Sequence, residues 1–197
     1  MLMSAYWPGE TNPALFASPA DAVAPSRILQ DNPPAATGKK VVFADADHNN
    51  WKGKDPRFVW KNFVRGNNVI IFDAHVVPFD WDRGAVGADD GSYEPLRWAV
   101  GHTRSYAERL SLAAMAPRND LASTQYCLAN PGNEYLVYLP DGGEVTLDLS
   151  AVKGTLAVEW FNPRTNEKQA GDRVDGGAKR TFRAPFEGDA VLYLSGE

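Results

Sequence analysis

Residues 40–51 read KVVFADADHNNW, and this stretch decides how the rest of the chain is interpreted. Its apolar run, 41–44, is typical of a buried strand. The run stops at Asp45, and Asp47 and His48 follow almost at once. A buried strand that ends in carboxylates and an imidazole predicts a functional site at the carboxyl end of that strand.

The residues that follow predict a second strand, parallel to the first. Asp55 and Pro56 suit the N-cap and the first position of a helix over 57–65, and Gly66 suits its end. The continuous apolar run at 69–72 then predicts a strand that is buried on both faces. Strand, helix and strand in succession indicate a parallel pair and an α/β architecture.

Acidic residues and histidines follow both predicted strands. Asp45, Asp47 and His48 come after the first, and Asp73 and His75 come after the second. Because the carboxyl ends of parallel strands meet at one edge of a sheet, we expect both groups to share a rim. Carboxylates there suit a glycosidase, which needs one carboxylic acid to protonate the leaving oxygen and one carboxylate as base or nucleophile.

Tryptophans near these carboxylates could stack on sugar rings. They are Trp51, Trp60 and Trp81. A purely structural interpretation stays open beside the catalytic one, because Asp at a strand end often caps the next helix and perturbed networks are also structural.

A metal site is chemically conceivable at the same rim. Asp45, Asp47, His48 and His75 offer donors for a hard or borderline ion. Their spacing matches no strong metal motif, so we expect neither a metal nor another cofactor.

The remaining segments predict two parts, 1–120 and 121–197. Prolines dominate 1–38, where loops and short turns are expected, and helical spacing of apolar residues begins at Pro95. After about residue 120, short strands alternate with Gly, Pro, Asn and Asp turns, which is typical of an antiparallel β-sandwich. Within it, Cys127 and Trp160 are expected in the core.

Composition limits the partners that we expect. The 197 residues carry a net charge of -5 and no Lys/Arg cluster longer than two, which argues against nucleic acid. No apolar run approaches the roughly 20 residues of a membrane span, so a membrane is not an expected partner. The opening MLMSAYWPGE has no signal-peptide pattern.

Several segments resemble known proteins. The first part resembles the last third of the catalytic barrel in bacterial glycoside-hydrolase-like proteins, at LFASPAD (15–21), NPP (32–34), GKKVV (38–42), DADH (45–48), VWKNFVRG (59–66) and GHTR (101–104). The second part resembles the module named "putative collagen-binding domain of a collagenase", at STQYCLANPG (123–132), EYLVYL (134–139) and WFNPRT (160–165).

The resemblance implies a fold and an activity. It implies the C-terminal portion of a (β/α)8 barrel, with strands six to eight at 3–7, 41–44 and 69–72, followed by a small β-sandwich. The catalytic acid at the fourth strand would lie upstream of this chain, so the chain alone would be an inactive fragment. The parent protein would be exported or extracellular, and its substrate would be a glycan or polysaccharide.

The resemblance also implies roles for individual residues. Asp47 matches the second catalytic carboxylate, usually a Glu in such barrels, and Asp45 and His48 would orient groups or contact sugar. The substrate contacts implied are Trp51, Trp60, Asp73 and His75. The alternative is a non-catalytic binding module for polysaccharide or collagen, and a third interpretation is a sandwich that only packs on the barrel and stabilises it.

Overall fold

The computed structural model describes residues 2–4, 11–25, 32–45, 55–71 and 91–196. The first half of the chain combines short strands with helices: β1 (Leu2–Ser4), α1 (Thr11–Ala17), β2 (Ala22–Ala24), β3 (Val41–Asp45), α2 (Arg57–Val64), β4 (Asn68–Ile70) and α3 (Glu94–Arg109). The second half is built from strands: β5 (Ala116–Pro117), β6 (Cys127–Asn130), β7 (Glu134–Leu139), β8 (Glu144–Asp148), β9 (Thr155–Asn162), β10 (Glu167–Asp175), β11 (Lys179–Arg183) and β12 (Ala190–Ser195).

The first four strands form one parallel sheet in the order β1-β2-β3-β4. The predicted parallel pair is confirmed, because β3 and β4 are neighbours with Asp45 opposite Ile70. The sequence predicted three parallel strands, whereas the described residues contain four. The additional strand β2 and helix α1 lie in a stretch predicted to be loops, and the Ala-Val-Ala of β2 is too short to show a strand pattern of its own.

The edge strand β4 differs from its prediction. A strand buried on both faces was expected, but Ile70 is 45% exposed and Asn68 is also exposed. The cause is position, since β4 is the last strand in the sheet order and pairs only with β3 among the described residues.

Helix α2 begins and ends close to the predicted residues. The backbone N–H of Arg57 donates to Oδ1 of Asp55 at 3.0 Å, which satisfies one of the free donors of the first turn. Gly66 ends the helix with φ +73°, a left-handed conformation that glycine adopts without strain. The next helix, α3, is longer than α2, and its predicted apolar residues Leu96 and Ala99 are buried.

The second half is an antiparallel β-sandwich, as predicted. A six-stranded sheet in the order β10-β9-β12-β7-β6-β5 is accompanied by a two-stranded sheet of β11 and β8. On β8, Val145 and Leu147 are buried while Glu144 and Thr146 are exposed, so one face of that strand is wet. The sheet already includes β5 at Ala116–Pro117, so it begins before residue 121.

The central strands β7 and β12 are buried on both faces and divide two cores. On β7, Val137 and Leu139 belong to the core shared with the two-stranded sheet. Its alternate residues Leu136 and Tyr138 belong to a second core shared with α2 and α3. The six-stranded sheet is therefore the middle of three layers, because side chains alternate across a strand.

Candidate functional site

The rim predicted at the carboxyl ends of the parallel strands is described only in part. Asp45 is the last residue of β3 and is half-buried. The other predicted rim residues lie outside the described residues; they are Asp47, His48, Trp51, Asp73 and His75. Asp45 pairs with Ile70, so the carboxyl ends of β3 and β4 lie side by side. Across the described ranges, no group of three His, Cys, Asp or Glu residues could hold a metal ion.

Trp60 was predicted to contact sugar, and the structure corrects this. The side chain is fully buried, with no exposed fraction. Its indole stacks on Tyr138, with ring centroids 5.9 Å apart and planes 18° apart, and meets the edge of Tyr106 at 5.7 Å. Trp60 thus packs α2 against the β-sandwich and offers no face to a ligand.

The start of α2 carries charged groups at the same end of the sheet. The end of α2 lies at the amino ends of β3 and β4, because the carbonyl of Arg65 accepts from the N–H of Ala36 ahead of β3 and Asn68 begins β4; the start of α2 is therefore directed toward the carboxyl ends of these strands. The Arg57 guanidinium binds the carboxylate of Asp55, with Nε to Oδ2 at 2.8 Å, and reaches Asp141 at 3.6 Å. Burial alone would raise the pKa of Asp55, but the hydrogen bonds and charge of Arg57 outweigh it and hold that pKa below 3.8.

The contact with Asp141 brings a part of the sandwich to this end of the molecule. Asp141 lies in the turn between β7 and β8, here called the 139–143 turn. The 139–143 turn faces the segment that follows β11, here called the 184–188 loop. The backbone N–H of Ala184 in this loop donates to the carbonyl of Gly143 in the turn at 2.9 Å. The turn and the loop line a cavity of about 360 Å³, whose polar side chains include Arg183 and Glu187.

A buried network fixes the loop beside this cavity. Asp189 is 2% exposed and accepts hydrogen bonds from the Tyr138 hydroxyl at 2.9 Å and from Nε of Arg164 at 2.8 Å. Burial, with the nearby Asp189 carboxylate, raises the pKa of the Tyr138 hydroxyl well above its usual range. The hydroxyl therefore stays protonated and keeps donating throughout the neutral range.

Hydrogen bonds between side chains also join α3 and the residues just after it to the sandwich. Glu159 accepts hydrogen bonds from the Tyr106 hydroxyl at 3.0 Å and from Arg109 at 2.8 Å. Glu134, which is buried, accepts from the Tyr193 hydroxyl at 2.7 Å and from the backbone N–H of Ser111 at 3.0 Å. These bonds join residues far apart in sequence, so the two halves of the chain form one packed unit.

A larger apolar cavity lies at the opposite end of the parallel sheet. Its volume is about 670 Å³, and its lining includes Phe63, Asn68, Met115 and Leu128. Asn68 begins β4, so this cavity lies at the amino end of that strand, away from the candidate rim.

The charged cluster at Arg57 was not found by sequence reasoning. The Asp-Pro-Arg spacing at 55–57 was interpreted only as a helix start, which it is. The approach of Asp141 could not be read from sequence, because it depends on how the sandwich docks on α2. No helix in the described part of the chain is long and apolar enough to cross a membrane.

The fold is thus mostly β, a β-sandwich preceded by a short parallel β-α-β sheet, and this arrangement occurs in known proteins. Residues 114–195 match the family model described as "Putative collagen-binding domain of a collagenase". No curated protein sequence matches the chain.

Two solved structures resemble the chain over most of its length. One is a glycoside hydrolase family 5 protein from Bacteroides vulgatus ATCC 8482, with TM-score 0.63 and 14% identity over 81% of this chain and 42% of that chain. The other is described as a glycoside hydrolase, with TM-score 0.60 and 14% identity over 94% of this chain and 44% of that chain. The chain therefore spans less than half the length of either structure, and at this identity the likeness concerns the fold.

Proposed function

We propose that the chain is the C-terminal portion of a glycoside-hydrolase-like, carbohydrate-active protein. Residues 1–120 would supply the last strands and helices of a (β/α)8 barrel, and residues 121–197 the appended β-sandwich. The observation that carries the proposal is the parallel sheet β1-β2-β3-β4, which leads through α3 into the sandwich. The similarity to two glycoside hydrolases, which extends over both halves of the chain, supports it.

In this proposal the catalytic rim lies at the carboxyl ends of β3 and β4. Asp47 is the carboxylate that stabilises the transition state, and Asp45 and His48 orient it or contact sugar. Trp51, Asp73 and His75 are the proposed substrate contacts. The general acid would come from an earlier strand of the barrel, because glycoside hydrolysis uses two carboxyl groups on opposite sides of the bond.

The first test compares this chain with a longer protein that contains it. The purified 197-residue chain should turn over no glycoside, because it supplies at most one of the two catalytic groups. In the longer protein, Asp47→Asn should abolish hydrolysis and leave substrate binding intact, whereas Asp172→Asn, a control at an exposed aspartate on β10, should keep kcat. Hydrolysis by the chain alone would contradict the proposal.

A binding module for polysaccharide or collagen is the second candidate function. The family model that matches residues 114–195 favours it. A pull-down with insoluble cellulose, insoluble xylan and fibrillar collagen separates the candidates. Retention on collagen alone would favour the collagen function and count against the carbohydrate proposal.

The sandwich also has a structural role in this proposal. It covers α2 and α3 with aromatic side chains, among them Tyr138, Phe161 and Tyr193. Burial of such surface is the main favourable term in packing two units together. We therefore propose that the sandwich stabilises the barrel segment whether or not it also binds a ligand.

A further inference from the structure

The cavity between the 139–143 turn and the 184–188 loop lies at the end of the molecule that carries the candidate rim. The Arg57 guanidinium contacts Asp55 at the start of α2 and Asp141 in the turn. Since α2 starts at the carboxyl end of β3, the turn extends from the sandwich toward that end. In parallel α/β folds ligands bind at the carboxyl ends of the strands.

The backbones on the two sides of this cavity are in direct contact. A Cβ on Gly142 would lie 2.1 Å from the carbonyl oxygen of Gly188, so the two backbones are in direct contact. The next residue, Asp189, is anchored by Tyr138 and Arg164. A cavity framed this way loses little conformational freedom when a ligand binds.

The side chains around the cavity include hydrogen-bond donors, hydrogen-bond acceptors and apolar groups. Arg183 supplies only donors, whereas Asp141 and Glu187 supply only acceptors when ionised. Phe186 and Pro185 add an aromatic and an aliphatic surface. Sugar hydroxyls both donate and accept hydrogen bonds, and the C–H faces of a sugar ring are apolar. Asp141 is already paired with Arg57, and Glu187 and Arg183 carry opposite charges, so neither sign of charge dominates and a neutral ligand is favoured.

We infer that this cavity is an accessory binding site for a neutral oligosaccharide, by which the sandwich holds part of the substrate beside the rim. The cavity volume of about 360 Å³ lies at the small end of the range for ligand sites, which suits one or two sugar units. The inference rests on the proposed carbohydrate function and adds to it a second contact for the same substrate.

The test is an NMR titration of the ¹⁵N-labelled chain with cellohexaose, xylohexaose, mannohexaose and a triple-helical collagen peptide. At least one hexasaccharide should shift the backbone amides of 141–143, 184 and 186–188 in a saturable way. Arg183→Ala should weaken that binding about ten-fold, which corresponds to about 1.4 kcal/mol. Arg180→Ala is the matched control, because Arg180 is an exposed arginine on the same strand and lies outside the cavity lining. Its loss should change the affinity by no more than about two-fold.

The other outcomes overturn the inference in distinguishable ways. Saturable shifts on another surface would remove the cavity as the site and leave the carbohydrate function standing. Binding of the collagen peptide without any hexasaccharide would overturn both the cavity and the carbohydrate function. If no probe produces saturable shifts, or if Arg180→Ala weakens binding as much as Arg183→Ala, the cavity is not a binding site.

Discussion

Trp60→Ala should weaken the packing of α2 and α3 against the β-sandwich. The residue is fully buried, and its indole contacts Tyr138, Tyr106 and Phe161 at centroid distances of 5.7 to 5.9 Å. Replacement of a buried Trp by Ala costs about 3–5 kcal/mol, because transfer energy is lost and a cavity remains. That is a large share of the roughly 5–15 kcal/mol by which a domain is stable. We therefore expect α2 and α3 to open far more often in the variant.

Hydrogen exchange measures which segments of the chain lose stability in this variant. A cost of about 3–5 kcal/mol corresponds to faster exchange by roughly two to three and a half orders of magnitude wherever opening of α2 exposes the amide. We expect this acceleration in 57–71 and 94–110, and little change in β7, β9 and β12. Trp98→Ala is the control, because Trp98 is 51% exposed and its loss should change stability by no more than about 0.5 kcal/mol. Equal protection in the two variants would refute the interpretation of Trp60 as the packing link.

Three further predictions concern single residues. Burial raises the pKa of the Cys127 thiol to about 12, so the native chain should resist a thiol-labelling reagent that reacts fully in urea. The depressed pKa of Asp55 adds stability that is complete above about pH 4 and is lost as the pH falls through the pKa of the folded state. The Asp55→Asn variant should therefore lose less stability on acidification than the native chain. Urea unfolding at pH 7 and pH 3 measures this difference. Gly142→Ala should cost at least about 2 kcal/mol, whereas Gly143→Ala, which has a similar positive φ but nothing within 4 Å of its Cβ, should cost only about 1 kcal/mol.

Local patterns in the sequence predicted much of the fold. The runs at 41–44 and 134–139 and the alternation at 145–149 correspond to β3, β7 and β8, because strand patterning depends on nearby residues. The strand β2 escaped prediction because its three residues are held by pairing with β1 and β3, which are distant in sequence.

The burial of Trp60 could not be predicted from helical spacing. Phe58, Val59, Trp60, Asn62 and Val64 are all buried, which is far more of the surface than the single apolar stripe of an ordinary helix. The reason is that α2 contacts both β4 of the parallel sheet and β7 of the sandwich. A sequence pattern shows one apolar face clearly, but it does not show that a second layer will cover the other.

The docking of the sandwich on α2 connects the two proposed roles of the second half. Tyr138 stacks on Trp60 through its ring and donates to Asp189 through its hydroxyl, so one side chain joins the buried interface to the frame of the accessory cavity. A sandwich that only stabilised the parallel-sheet half would need the ring of Tyr138 but not its hydroxyl. The hydroxyl holds the residue next to Gly188, and thereby fixes the 184–188 loop relative to α2 and the end of the sheet where the candidate rim begins. Support of the parallel-sheet half and a fixed position for the proposed sugar-binding loop therefore depend on the same side chain, which is why we expect them to be lost together.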